Sequence, residues 1–159
     1  MPTQQMVTTF PVGSVRGRIG RAVELAGRFP LPVIQLLFRL AIAAVFVKGA
    51  LTKLASWALT VQLFQDEYKV PVLSPDLAAA MSTTFELGCS TLLVLGLGTR
   101  LATLPLLGMI AVIQTFVYPG AYAEHLTWGS ILLFLLTRGG GPWSVDGLLG
   151  LEPAEPPRR

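Results

Sequence analysis

Four charged side chains stand inside apolar runs. Arg39, Lys48 and Lys53 lie in LPVIQLLFRLAIAAVFVKGALTK, and Glu86 lies in LAAAMSTTFELGCSTLLVL. In hydrocarbon such charges are costly, so each must snorkel to an interface, meet a partner or line a wet cavity. Arg39 is about 12 Å in from one end of its run and Glu86 about 15 Å in from the opposite end of its own. In a bilayer core about 30 Å thick those depths nearly coincide. An Arg39 to Glu86 pair is therefore expected, acting either as a bridge that sets helix register or as a binding or proton-handling site. At roughly 100° per residue, Gly49 and Lys53 share the Arg39 side of the helix while Lys48 faces away. Arg39, Lys53 and Glu86 form the candidate intramembrane polar site.

A second group lies toward the other ends of the apolar runs. Lys48, Gln114, Tyr118, Glu124 and His125 could converge there with Asp66 or Glu67, as a polar pocket or as interface decoration. Cys89 is the single cysteine and His125 the single histidine, so an intrachain disulfide, a protein-only metal cage and a bis-histidine haem site are not expected. Redox chemistry would need an organic cofactor or a partner.

The elements that position these residues are apolar and helical. Of 159 residues 52% are hydrophobic and 13% charged, about half the charge of a soluble domain. A single polytopic membrane domain is expected. Residues 1–13 read as a flexible tail, and 14–29 as an amphipathic helix with Val15, Ile19, Ala22, Ala26 and Phe29 on one side and Arg21, Glu24 and Arg28 on the other. Four spans follow, at about 31–53, 77–97, 101–117 and 124–138, making 30–138 a four-helix transmembrane domain. The first is too long and too charged for a cleaved signal peptide. Between the first two, Leu54 to Lys69 repeats Trp57, Val61, Phe64 and Tyr68 at helical spacing, as an interfacial helix would. Ser74 and Pro75 signal the start of the second span, Pro105 lies in the first turns of the third, and Ser144 signals the start of a last short helix. Residues 139–159 read as a cytoplasmic C-terminal segment. With both termini inside, Arg16, Arg18, Arg21, Arg28, Arg100, Arg138, Arg158 and Arg159 fall on the cytoplasmic side, against Lys53 and Lys69 outside. The pI near 9.4 is thereby assigned to topology rather than to nucleic-acid binding.

The stretches FRLAIAAVFVKGALTKLASW, FELGCSTLLVLGLGTRLATLPLLGMI and RGGGPWSVDGLL resemble the DoxX family of small four-helix bacterial membrane proteins. The likeness spans 36–149 and rests on the order Arg39, Gly49, Lys53, Glu86, Thr99, Arg100 and the run Gly141, Pro142, Trp143, Ser144, Val145, Asp146. It implies structural duties for Gly49, Thr99, Arg100, Gly141, Pro142, Trp143, Ser144 and Asp146. It also implies a multi-pass protein of the bacterial inner membrane, acting as a non-catalytic accessory or small subunit of a quinone-linked redox assembly. Such a subunit has no redox centre of its own; its cofactor would be a quinone, and its partners the lipid bilayer, a redox or sulfur-transfer enzyme and further copies of itself. The thiol chemistry of relatives with paired cysteines is not expected, since Cys89 is alone. The alternative is a non-enzymatic membrane binder or exporter of a small molecule, an ion or a metal-linked peptide. The absence of a convincing internal repeat favours the accessory reading.

Overall fold

The computed structural model describes residues 15–151, so the expected tail at 1–13 and the EPAEPPRR segment lie outside the described residues. Among the described residues all regular structure is helical. The chain divides into two compact units, residues 1–31 and 32–159. The first holds α1 (Val15–Gly27), on which Ile19 and Val23 are exposed alongside Arg18 and Arg21. An uncovered apolar side of this kind suits an interfacial helix. Just beyond its end, Arg28 bonds Glu24 at 2.7 Å in an exposed pair.

The second unit is a bundle. Its elements are α2 (Leu31–Ala55), α3 (Trp57–Leu63), a π-helical turn π1 (Phe64–Tyr68), α4 (Pro75–Leu95), α5 (Thr99–Val112), a second π-helical turn π2 (Ile113–Val117), α6 (Tyr122–Arg138) and the single turn α7 (Val145–Leu148). Four helices supply one core. Ile42 and Phe46 come from α2, Cys89 and Leu93 from α4, Ala102 and Leu106 from α5, and Leu132 and Leu135 from α6. Helix α5 packs between α4 and α6. On the outside stand leucines rather than charges, with Leu101 73% and Leu126 71% exposed, as lipid contact requires. Helix α2, α4, and α5 extended by π2 to Val117 are long and apolar enough to cross a membrane. Helix α6 has 17 residues, or about 26 Å.

Three local expectations are corrected. Leu54 to Lys69 is not one helix: the chain breaks at Ser56, whose φ of −148° and ψ of 86° leave the helical region, and restarts as α3 and π1. Thr60 Oγ1 ties the break together by donating to the Lys53 carbonyl at 2.9 Å. Ser74 occupies the N-cap position of α4 but makes no side-chain cap bond, and Pro75 in the first turn makes the start. Helices α5 and α6 begin about two residues before the expected spans, at Thr99 and Tyr122, whereas α4 starts at Pro75, where its start signal lies.

The loop between α4 and α5 is short because glycine permits it. Gly96, at φ 71°, closes α4 with Leu97 N–H bonded to the Leu92 carbonyl at 3.0 Å, a Schellman-type ending. Gly98 then stands at the N-cap of α5 with no side chain to cap it.

Candidate functional site

At the Gly96 end of the bundle the chain forms a cup of backbone carbonyls around Arg39. Its guanidinium donates from Nε to Leu93 O at 2.7 Å and from Nη2 to Val94 O at 2.7 Å. From Nη1 it donates to Trp143 O at 2.9 Å and Gly140 O at 3.2 Å. The residue is 1% exposed. These carbonyls belong to the last turn of α4, whose C=O groups have no partner within the helix, and to the glycine turn after α6. Guanidinium is the one side chain with enough fixed donors to bridge both.

The same cup caps α5. Asp146 accepts from Gly98 N–H at 2.8 Å and Thr99 N–H at 2.9 Å, replacing the cap that Gly98 cannot provide. Asp146 N–H in turn donates to Gly96 O at 2.9 Å. Ser144 bonds Gly141 O through its hydroxyl and accepts from Gly147 N–H, so the expected cap of the last short helix is present. Close approach explains the glycines. A Cβ at Gly96 would sit 2.4 Å from the Ser144 Cβ and 2.6 Å from Arg39 Nη2. One at Gly141 would sit 2.3 Å from the Gln35 side-chain oxygen.

Arg39 therefore lies level with residues 93–96 of α4, not with Glu86, and the expected Arg39 to Glu86 pair does not form. The depth argument assumed that α2 and α4 end flush. In fact α2 reaches beyond the end of α4, far enough for Gln35 Nε2 to donate to Arg138 O at 3.2 Å. Glu86 is taken by Lys53, whose Nζ lies 2.7 Å from both carboxylate oxygens. Gly49 lies against this pair, where a Cβ would meet the carboxylate at an ordinary contact distance of 3.5 Å. The expected face of Gly49 and Lys53 meeting Glu86 is thus present, with Arg39 excluded from it.

The Lys53–Glu86 pair stands on the wall of a cavity of about 410 Å³. The remaining wall is almost wholly apolar: Phe64 and Tyr68 from π1, Met81 and Phe85 from α4, Pro105, Gly108 and Met109 from α5, with Tyr118 beyond π2. A Cβ added to Gly108 would meet nothing within 4 Å. Both π-turns border this cavity, and a wound-out turn of this kind re-aims side chains at functional sites. Nearby, Lys69 and the fully exposed Val72 hold left-handed φ values of 43° and 75°, costly for a β-branched residue.

The outer cluster is brought together as separate pairs. Tyr118 Oη donates to Glu67 Oε1 at 2.8 Å, and its ring packs edge-on against Tyr68 at 5.8 Å. The hydrogen bond to Glu67, and then that to Tyr68, pushes the Tyr118 phenol well above its ordinary value. His125 Nδ1 lies 2.7 Å from Gln114 Oε1, and Gln114 donates to Pro119 O. Lys48 and Glu124 border a second cavity of about 510 Å³, which also touches Lys53, Phe64 and Tyr68. Asp66, Arg100, Pro142 and Trp143 are exposed; the Trp143 contribution to the cup is its carbonyl. Among the described residues no group of three or more His, Cys, Asp or Glu side chains could hold a metal ion.

Two features escaped the sequence reading. Gln35 carried the same signal as Arg39, an amide inside an apolar run. The cavity wall carried a fainter one in Pro105 and Gly108, a helix-breaking pair three residues apart in an otherwise regular span.

A protein-family model described as DoxX matches residues 34–119, which runs from within α2 through π2 and stops short of α6, the glycine turn and α7. Neither the curated proteins nor the solved structures contain a match.

Proposed function

The chain belongs to the DoxX family of membrane proteins, and from that premise we propose that it is an accessory subunit of a quinone-linked redox assembly in a bacterial inner membrane. The observation that carries this reading is the apolar cavity beside a buried ion pair. Its volume falls in the range of small-molecule sites, mostly apolar with a few convergent polar groups. A flat apolar ring with carbonyl acceptors suits this wall. Lys53 would donate to a carbonyl, Glu86 would hold Lys53 in place, and Phe64, Phe85 and Met109 would cover the ring. A quinone held there would accept electrons delivered by a partner enzyme. The chain's own part is to bind the ring, exclude water and keep a charged hydrogen-bond donor at the carbonyl.

In this reading α2, α4, α5 with π2, and α6 all cross the bilayer. Both termini are cytoplasmic, because Arg18, Arg21, Arg28, Arg100 and Arg138 then share one side. A terminal tag that reacts with an impermeant reagent in intact cells would contradict that orientation. The ligand is tested by purifying the full chain in mild detergent and identifying what accompanies it by absorbance and mass spectrometry. Quinone in the parent and its loss in Gly108→Leu, which fills the cavity without a backbone clash, is the expected result. Protein equally loaded with quinone in both forms overturns the assignment to this cavity.

Non-enzymatic binding or export is the second reading, favoured by the wall of Lys53, Phe64 and Tyr68 that the two cavities share. Movement of that wall would join them. Solute flux into vesicles containing the purified chain alone would support it over the accessory reading.

A further inference from the structure

The second cavity presents opposite charges from two helices. Lys48 reaches it from α2 and Glu124 from the first turn of α6. Neither side chain has an ion-pair or hydrogen-bond partner among the described residues. They border one cavity, yet they stand too far apart to bond each other. Trp128, one turn after Glu124, shares the wall. Its indole is set by His125 at 5.6 Å and Phe46 at 6.2 Å, and His125 is fixed by Gln114 at 2.7 Å. A carboxylate beside an oriented aromatic face receives an ammonium group. A lysine across the same cavity receives an anion. Lys53 adds no free charge, because Glu86 holds it through both oxygens.

We infer that this cavity binds a zwitterion, with its ammonium group between Glu124 and Trp128 and its anionic group on Lys48. A simple cation or anion satisfies one end and leaves the other charge bare; a molecule carrying both satisfies the two at once. The chemistry is that of an amine linked to a phosphate or carboxylate, supplied either by an ethanolamine-type lipid headgroup or by a free solute. The inference is independent of what occupies the first cavity.

The test titrates the full chain, in an uncharged detergent, with phosphoethanolamine, and separately with inorganic phosphate and ethylammonium. Phosphoethanolamine is expected to bind at least about tenfold more tightly than either single-charge probe, a difference within the reach of one charged contact. In parallel, the chain is reconstituted in bilayers of phosphatidylethanolamine or phosphatidylglycerol, and retained lipid is counted by native mass spectrometry. Retention of the ethanolamine lipid without binding of the free probe assigns the headgroup as the source; binding of the free probe assigns a solute. Lys48→Gln and Glu124→Gln should each reduce binding by at least about tenfold. Both residues are exposed, so their thermal midpoints should match the parent. The inference is overturned if neither arm binds, if phosphate alone binds as well as phosphoethanolamine, or if both variants bind like the parent.

Discussion

Arg39 and Lys53 share a helix and solve the cost of burial in different ways. Lys53 meets a carboxylate, so removing one partner strands the other. Lys53→Met should destabilise the bundle by about 3–5 kcal/mol, and Lys53→Met with Glu86→Leu should recover much of that, because an apolar pair of similar volume replaces a desolvated ion pair. Thermal unfolding in detergent reads both. Arg39 has no such rescue. Arg39→Lys offers a point charge where a planar fork bridged four carbonyls, and it should lower the thermal midpoint even with charge conserved. Its effect should add to that of Glu86→Gln, since the two sites share no partner; strong coupling would restore the Arg39 to Glu86 pair. Sequence could not separate these cases, because a carboxylate partner is visible as a letter whereas a carbonyl belongs to every residue. Tyr118 has its own signature. Its phenol is raised in the folded state, so the contact with Glu67 contributes fully below the ordinary tyrosine value of about 10 and is lost as pH rises through the folded value. Spectroscopic titration should show one late-ionising tyrosine that Tyr118→Phe removes.

At the scale of elements, the joint between α4 and α5 depends on residues nearly fifty positions later. Asp146→Asn weakens both acceptor contacts at the start of α5 without changing shape, and should cost about 1–2 kcal/mol. Gly96→Ala should cost more. It meets both a left-handed φ and a collision with Ser144, and a midpoint no lower than that of Asp146→Asn would argue against the close packing. The helices themselves were legible to within about two residues at their starts, since long apolar runs punctuated by glycine and proline leave little choice. The break at Ser56 was not. LASWALTVQLF keeps a helical period on both sides of it, and the tie from Thr60 to the Lys53 carbonyl leaves no mark in the pattern. The π-turns were equally silent, because one extra residue in a turn shifts the phase of a pattern too short to reveal it.

For the whole molecule, the bundle core and the lipid-facing surface draw on the same amino acids. Leu106 is wholly buried and Leu101, on the same helix α5, is mostly exposed. That is why the four-helix grouping could be read while the first cavity could not: its lining of Phe85, Met109 and Val112 looks like any membrane helix. The polar residues at the opposite end were grouped by position alone, and their sorting into Glu67 with Tyr118, Gln114 with His125, and Lys48 across from Glu124 needed the structure. The cup around Arg39 also sets an order of events during synthesis. Its Gly140 and Trp143 carbonyls come from residues 101 and 104 positions after the arginine. At a translation rate of about 5–20 residues per second, Arg39 is made roughly 5–20 s before those partners exist. Until then the guanidinium lacks two of its four carbonyl partners, although Leu93 O and Val94 O have already been made. A chain stopped after Arg138 would lack those two contacts permanently. Such a truncation should be degraded in pulse-chase labelling while the full chain persists, which would tie the retention of the first helix to the turn that follows α6.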